Sequence, residues 1–294
     1  AAHSAWRFDW RCRWEDVWAS DFRSEWDRLL AASPGATVYH QPDLVRAWAE
    51  THGRAIGAQP LFALASGPDG LRVLCTFVVI AQRGRYSTRR LLGPAGLSFF
   101  GYHDPLVSAF DETVRPDWSA FWDAVRLSVG DRCDHALVPS VHDNVAAGPL
   151  AEPAGDLSPV LSLSGVPTLD AALDRCSANH RGDVRRRLRR LREAGELTFS
   201  MAAHTAAASA LEDLRERFVP AYTAHWRSRP EGCMLDRPGV AEFVERVVGD
   251  GVTAGWAHYA TLAMEGRPIA WHIGLRFRDR MYWWIPAHDL AWQA

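Results

Sequence analysis

The apolar positions of the chain follow two periods, which predict strands and helices in mixed order. Residues 6–14 (WRFDWRCRW) alternate apolar and polar side chains, which is typical of a strand. Residues 60–66 and 71–82 are predicted to pair as a hairpin, because the Gly-Pro-Asp-Gly sequence at 67–70 is a strong turn signal. Further strands are predicted at 134–141 and 196–201 and, as a terminal meander, at 255–264, 268–278 and 281–285.

Apolar residues at three- and four-residue spacing predict helices, and most of these segments begin at a residue that favours a helix N-terminus. The predicted starts are Asp21, Pro42, Pro116 or Asp117, Thr168, Thr205 and Asp236. Pro220 is expected to kink the helix that begins at Thr205. Residues 93–105 hold too much glycine and proline for a regular element and are predicted to form a loop between strands.

One further helix, Asn179–Gly195, is dominated by arginine. Val184, Leu188 and Leu191 form a narrow apolar stripe, and Gly195 stands where a left-handed C-terminal cap is expected. Like charges at i, i+4 oppose this helix by roughly 1 kcal/mol in total. We therefore expect either carboxylates elsewhere in the fold or a bound phosphate to offset them. The candidate phosphate ligands are Arg181, Arg185 and Arg186.

Composition narrows the possible chemistry. All 33 residues of the Lys+Arg count are arginine, which excludes P-loop, Schiff-base and kinase-type lysines. A net charge of -2 argues against general nucleic-acid binding. The five cysteines and twelve histidines are scattered without metal-ligand spacing, so no bound metal is expected. No glycine-rich dinucleotide loop appears either, so no nicotinamide cofactor is expected. No secretory signal or membrane span is visible, and we expect a cytoplasmic protein.

Length and element order predict two domains. Each half reads as helices followed by antiparallel strands, and 294 residues suffice for two domains of ordinary size. Residues 142–158 mix glycine, proline, alanine and acids, and are the best linker candidate. We therefore expect an α/β protein (α+β mixed sheets) with mostly antiparallel sheets flanked by helices, divided into domains at 1–157 and 158–294.

The loop at 101–105 brings a phenol, an imidazole and a carboxylate together, at Tyr102, His103 and Asp104. Such a group can move a proton near neutral pH, and general acid–base catalysis contributes about 10²–10⁴-fold. The alternative is a structural turn, in which Asp104 caps the backbone and Tyr102 packs against the core.

The terminal meander carries a second set of candidates. Trp271 and His272 stand on opposite faces of one strand, and Trp283 and Trp284 alternate in the same way on the next. His272 with tryptophans beside it could line a substrate cleft, or it could be a satisfied structural histidine. Another imidazole and carboxylate follow where the last strand leaves the sheet, at His288 and Asp289.

Four stretches, in consistent order over most of the chain, resemble the CelD/BcsL-like acyltransferase family of the GNAT superfamily, which is related to the tandem-domain FemAB-type transferases. No single stretch is highly specific, and the order carries the resemblance. The stretches are VYHQPDLVRAW (38–48), RRLLGPAGLSFFGYHDPLV (89–107), NHRGDVRRRLRRLREAGELTF (179–199) and EGRPIAWHIGLRFRDRMYWWIPAHDLAW (265–292).

The resemblance implies two tandem GNAT-like domains and transfer of an acyl group from acetyl-CoA or another acyl-CoA to an amine or hydroxyl acceptor. It associates the family with exopolysaccharide or cell-envelope biosynthesis. The acyl thioester would lie where two central strands splay, with its pyrophosphate at the following helix N-terminus. That point falls after 281–285, and the resemblance places the phosphate-binding turn beyond Ala294. The Gln/Arg-x-x-Gly-x-Gly/Ala loop is not found in the sequence.

The resemblance also implies a mechanism in which the acceptor attacks the thioester directly and backbone amides polarise the thioester carbonyl. It implies Asp104 or His272 as proton acceptor, Tyr102 or His103 as orienting groups, Trp271 and Trp284 as cleft walls, and His288 and Asp289 as further substrate contacts. In the first interpretation, the arginine helix is a strut between the two domains, and acids of the other domain pair with Arg181, Arg185 and Arg186. In the second interpretation, these arginines bind phosphate.

Two alternatives remain open at this point. A FemAB-like transfer from aminoacyl-tRNA would use the arginines for RNA phosphates and would depend steeply on salt. A catalytically inactive GNAT-like module would bind a partner or glycan through its tryptophans.

Overall fold

The structure is a computed structural model and describes residues 6–108, 115–142, 145–146 and 158–292. Its helices are α1 (Trp14–Val17), α2 (Ser20–Ala32), α3 (Pro42–Trp48), α4 (Trp118–Val129), α5 (Leu169–Leu173), α6 (Ala178–Ala194), α7 (Ala207–Asp213), α8 (Val219–Trp226) and α9 (Val240–Ala254). Its strands are β1 (Arg7–Arg11), β2 (Gln59–Pro60), β3 (Phe62–Ser66), β4 (Arg72–Cys75), β5 (Phe77–Arg83), β6 (Thr88–Pro94), β7 (Leu106–Ser108), β8 (His135–Ala136), β9 (Leu197–Met201), β10 (Ala257–Met264), β11 (Arg267–Phe277) and β12 (Arg280–His288).

The strands within the described ranges form three four-stranded sheets, and each sheet draws on one half of the chain. The N-terminal half holds the orders β1-β3-β4-β7 and β2-β5-β6-β8, and the C-terminal half holds β12-β11-β10-β9. All pairs are antiparallel except β6 with β8, which runs parallel. The predicted α/β class with mostly antiparallel sheets and flanking helices is confirmed.

One hydrophobic core joins the two halves. Side chains of α2 and α3 pack in the same cluster as those of α9, β11 and β12. Polar bonds reinforce this contact at its edges, because His52 Nδ1 meets the Pro238 carbonyl at 2.6 Å and Arg246 pairs with Glu50 at 2.6 Å. The Arg278 guanidinium, from the β11–β12 turn, donates to backbone carbonyls at the C-terminus of α2. The sheet of the C-terminal half is thereby fixed against the N-terminal half.

Most predicted elements are confirmed, and the errors concern their limits. The 6–14 strand ends at Arg11, because the chain turns into α1. The 134–141 strand shortens to β8, and β6 was not predicted from the sequence. Two caps are wrong: α2 begins after Ala19, and α9 begins after Gly239, which adopts a left-handed φ of 70°. The expected kink at Pro220 is a π-helical turn directly before α8.

Local capping explains why other helices begin where the sequence indicates. Asp117 accepts a hydrogen bond from the Ala120 amide at 3.0 Å, and Thr168 accepts from the Ala171 amide at 3.2 Å. The 255–285 meander is present as β10, β11 and β12. The predicted linker at 142–158 lies mostly outside the described residues.

The arginine helix α6 corrects one expectation. Its carboxylate partners belong to its own neighbourhood: Asp170 and Asp174 on and after α5, and Asp183 and Glu193 within α6. α6 has no fully buried residue, and its apolar stripe is only half-buried. Among the described residues, no acid of the other domain pairs with this helix, because a helix exposed along its length is neutralised by the nearest carboxylates.

The end of α6 also differs from the sequence prediction. Gly195 has φ 157° and ψ -173°, which is an extended conformation open to glycine and not the left-handed cap expected there. A Cβ at this position would come within 2.5 Å of Glu265 Oε1, on the β10–β11 turn, so a larger residue here would displace that side chain.

Candidate functional site

A β-bulge on β12 exposes a backbone amide beside His272. The register between β11 and β12 shifts at Ile273/Gly274, so that Ile285 and Trp283 are paired and Trp284 between them is not. The freed Trp284 amide donates to Nε2 of His272 over 3.4 Å. A backbone N–H and an imidazole nitrogen are therefore adjacent on the outer face of this sheet.

A second histidine lies behind His272. His258 on β10 is a diagonal neighbour on the same face, and its Nε2 lies 3.2 Å from Nδ1 of His272. His258 is 7% exposed, and its Nδ1 is buried without a hydrogen-bond partner. We call these two residues the histidine pair.

Gly274 makes room for the histidine pair. It lies opposite His258 in the register of β10 and β11. A Cβ at position 274 would overlap with the ring of His258 and would reach within 2.8 Å of Cε1 of His272. Only glycine fits between the two rings, so the backbone of β11 is adapted to hold them together.

The surroundings keep both imidazoles neutral. Burial, together with the smaller effect of the nearby His258, lowers the pKa of His272 to about 4. Burial also lowers the pKa of His258, and Arg276 acts in the same direction. Near neutral pH, His272 is therefore a neutral base whose Nε2 lies beside an amide donor.

The tryptophans around His272 are arranged differently from the sequence prediction. The Trp283 ring stacks on His272, with centroids 3.9 Å apart and planes at 21°, and is 73% exposed. Trp284 turns away instead: its indole Nε1 donates to the Phe99 carbonyl at 3.1 Å, and its ring meets Phe243 edge-on. The aromatic side chain beside the imidazole is thus Trp283. Strand alternation placed Trp283 and Trp284 on opposite faces, but the predicted cleft wall was Trp284.

Trp271 occupies the opposite face of the same sheet, as the strand alternation predicts. It is 5% exposed, and its Nε1 donates to Asp213 Oδ2 at 2.7 Å. Tyr259 donates to the same oxygen, also at 2.7 Å. This is the position of a core side chain, so the predicted role of Trp271 as a cleft wall would need an opening of the core.

Asp104 belongs to a separate cluster in the N-terminal half. Its carboxylate accepts the His142 amide at 2.8 Å and meets Nδ1 of the His142 ring at 2.7 Å. The Asp104 carbonyl lies 2.7 Å from Nε2 of His40, a buried histidine whose pKa is lowered by burial. His142 is exposed and was not predicted as a site residue, because 38 residues separate it from Asp104.

Tyr102 and His103 flank this cluster. Tyr102 stacks on His142 at 5.5 Å and donates to Ser158 Oγ at 2.6 Å. His103 points inward against Phe100, and burial lowers its pKa to about 4. A shallow pocket opens here where β4 passes into β5; its lining includes Tyr39, His40, Tyr102, His103 and Asp104. The predicted grouping of residues 102–104 at one surface is present, with Asp104 engaged as a hydrogen-bond acceptor.

The last two predicted substrate contacts lie at the end of β12. The His288 ring meets His225 edge-on at 5.0 Å, and Asp289 pairs with Arg267 at 3.1 Å. Their roles stay predictions, as do those of Arg181, Arg185 and Arg186 in phosphate binding. Among the described residues, no hydrogen bond or ring contact joins His272 to the Asp104 cluster.

Within the described residues, no group of three or more His, Cys, Asp or Glu side chains could hold a metal ion. None of the helices described is long and apolar enough to cross a membrane.

The histidine pair lies within the part of the chain that matches a known protein family. Residues 178–294 match the family model described as an acetyltransferase (GNAT) domain. The C-terminal half therefore carries a GNAT-type domain, and the whole fold is consistent with a tandem GNAT-like architecture. No curated protein matches the chain significantly.

The fold is also similar to a crystal structure of a conserved protein of unknown function from Bacteroides thetaiotaomicron VPI-5482. The two chains are 12% identical with a TM-score of 0.50, and the alignment covers 91% of this chain and 78% of the other. At this identity the likeness concerns the fold alone.

Proposed function

We propose that the protein is an acyltransferase that moves an acyl group from an acyl-CoA to an amine or hydroxyl acceptor, with His272 as the general base. The observation that carries this proposal is the bulge on β12, which places the Trp284 amide and Nε2 of His272 at one point. The match of residues 178–294 to a GNAT acetyltransferase domain supports acyl transfer as the class of reaction.

The two groups at the bulge have complementary uses in acyl transfer. The Trp284 amide lies outside the β11–β12 ladder, and in the unliganded protein its N–H is bonded to Nε2 of His272. Once the substrates displace that bond, the amide is a donor of the kind that stabilises an oxyanion. Nε2 of His272 accepts the proton of the attacking amine or hydroxyl. As the new C–N or C–O bond forms, the C–S bond of the thioester breaks, and the sulfur leaves as a thiolate that takes up the transferred proton or one from solvent.

The residues present fit the acyl end of such a donor better than its phosphate end. The bulge amide and the exposed face of Trp283 lie beside His272 and can contact a thioester and its acyl group. Within the described residues, β12 is followed by a single 3₁₀ turn at Leu290–Trp292, so no helix N-terminus there receives a pyrophosphate. Acetyl-CoA remains the first donor to try.

The pathway and the domain limits belong to the same proposal. An acceptor from exopolysaccharide or cell-envelope biosynthesis follows from the resemblance alone. The division into domains at 1–157 and 158–294 is supported by the separation of the sheets, since the strands of each sheet come from one half. The Asp104 cluster, in the other half, is proposed to contact the acceptor.

The proposal is tested first by ligand-induced stabilisation. A ligand present at 100 times its Kd stabilises the folded state by about 2.7 kcal/mol, which raises the thermal midpoint measurably. Acetyl-CoA and longer acyl-CoAs are expected to stabilise the protein, and free CoA serves as the matched control for the acyl group. Stabilisation by tRNA alone would favour transfer from aminoacyl-tRNA, and stabilisation by neither would favour a binding module without catalysis.

Turnover supplies the second test. Thiol release from the stabilising acyl-CoA is followed with panels of amine and hydroxyl acceptors. The wild-type protein is expected to release thiol in proportion to acylated acceptor, and His272→Ala is expected to lose this activity while keeping its thermal midpoint. Full activity in His272→Ala would remove His272 from the mechanism.

A further inference from the structure

We propose that His258 is a positioning residue that holds His272 in the tautomer whose Nε2 is unprotonated. The inference rests on the proposed function for its consequence in catalysis, but the tautomer itself is a property of the unreacted protein. Nothing in the sequence singled out His258, because its partner lies on the neighbouring strand.

The hydrogen-bond partners determine the proton positions. The Trp284 amide can only donate, so Nε2 of His272 must accept and carries no proton. The proton of the neutral His272 ring is then on Nδ1, which faces Nε2 of His258 at 3.2 Å. Nε2 of His258 therefore accepts this bond, and the His258 proton lies on its Nδ1.

This arrangement leaves a cost at His258 that points to a role. Its Nδ1–H is buried and has no partner among the described groups, which a purely structural histidine would avoid. The opposite arrangement would give His258 Nδ1 a lone pair instead, but it would set an Nε2–H of His272 against the Trp284 amide. The observed arrangement thus keeps Nε2 of His272 unprotonated and leaves Nδ1–H of His258 without a hydrogen-bond acceptor.

The consequence for proton transfer follows from the same bond. When Nε2 of His272 takes a proton from the acceptor, the ring becomes an imidazolium with protons on both nitrogens. Nε2 of His258 continues to accept the Nδ1–H bond and keeps the ring oriented, as the third member of a nucleophile–base–orienter group does. The charge of Arg276, which lowers the pKa of His258, also opposes a cation at the histidine pair, and His258 itself is neutral. His258 therefore provides orientation and no compensating charge.

The test compares His258→Gln, whose amide oxygen can accept the Nδ1–H bond, with His258→Leu, which cannot. Long-range ¹H–¹⁵N correlation spectra of the unliganded protein report which ring nitrogen of His272 is protonated, and a His272→Gln sample assigns the signals. Wild type and His258→Gln are expected to show a protonated Nδ1. In His258→Leu the Nδ1–H has no acceptor and only the Trp284 amide still favours this tautomer, so a mixture of Nδ1- and Nε2-protonated rings is expected. Thermal midpoints, with His135→Leu as an exposed control, establish that each variant is folded.

Turnover completes the test. His258→Leu is expected to lower kcat by at least about tenfold with KM for the acyl donor little changed, and His258→Gln is expected to retain most of kcat. A protonated Nε2 of His272 in the wild type, or equal kcat in the Leu and Gln variants, would overturn the inference. If Nδ1 is protonated as expected but His272→Gln is fully active, the proposed base is wrong and the positioning stands.

Discussion

Two imidazoles in this protein are each held by a partner at Nδ1, but the partners differ in charge. His142 in the N-terminal half is held by the Asp104 carboxylate, while His272 in the C-terminal half is held by the neutral ring of His258. Burial and the neighbouring imidazole lower the pKa of His272 to about 4. The second arrangement therefore suits a base that is unprotonated at neutral pH, whereas the first ties the ring to a carboxylate acceptor.

The two regions also differ in what surrounds the ring. His142 is exposed and stacks on Tyr102 at the rim of a shallow pocket. His272 lies beside a bulge amide and under Trp283, within the region that matches an acetyltransferase domain. We therefore propose that the first region contacts the acceptor and the second transfers the proton, and each prediction below tests that division.

The largest expected effect is on turnover. His272→Ala should lower kcat by about 10²–10⁴-fold, because the general base is lost. Asp104→Asn keeps an acceptor for the His142 amide and should lower kcat by less than about tenfold, with the main change in KM for the acceptor. Steady-state kinetics with both substrates varied distinguishes the two, and the reverse ranking would move the base to the N-terminal half.

The next effect is on stability. Asp213→Ala should destabilise the fold by about 2–5 kcal/mol, because it leaves the Tyr259 hydroxyl and the Trp271 indole N–H buried without an acceptor. Asp104→Ala removes an acceptor near the surface and should cost only about 1 kcal/mol. Urea unfolding at neutral pH measures both, and equal losses would contradict the view that Trp271 is part of the core.

The third effect is the pH dependence of stability in both regions. The pKa values of His272 and His103 are lowered to about 4, below the ordinary value of 6.5, so the unfolded state binds more protons between these values. Stability should therefore be complete above about pH 6.5 and decline as the pH falls towards 4. The loss should be at most about 3 kcal/mol for His103 and smaller for His272, whose partial exposure screens the effect. His272→Gln and His103→Gln should each flatten this decline in urea unfolding at pH 7, 5.5 and 4.5. An unchanged slope would indicate that the ring is hydrated in solution.

The smallest effect concerns α6. Arg185→Ala should change the free energy of unfolding by less than about 0.5 kcal/mol, because Arg185 pairs with exposed Asp170 and Asp174 at the surface. Affinity for an acyl-CoA should be equally unaffected if the arginines bind no phosphate. A selective loss of affinity, measured by calorimetry at two salt concentrations, would return Arg185 to the ligand site.

Much of the architecture could be predicted from the sequence because it depends on neighbours along the chain. The Asp117 and Thr168 caps act within one helical turn, and the meander from 255 to 285 follows from alternation and its turns. The opposite placement of Trp271 and His272 needs only the pleat of a strand. The limits of elements such as β8 were less predictable, since they depend on what the strand meets.

The site was predictable only in part. Residue types alone indicated His272 and the group at 102–104, because few side chains move protons near neutral pH. His142 was missed because 38 residues separate it from Asp104. His258 was missed because its bond to His272 joins two neighbouring strands, β10 and β11. The arginines of α6 drew attention by their density, yet their partners are local carboxylates.

By itself the sequence determined the periodic faces of helices and strands, the absence of lysine chemistry and the types of residue available for proton transfer. The tertiary structure decided which of those residues meet. A one-residue bulge in β12 frees the Trp284 amide, and the absence of a Cβ at Gly274 lets His258 reach His272. Both depend on the register between strands, which is set by packing across the sheet and not by any pattern along one strand.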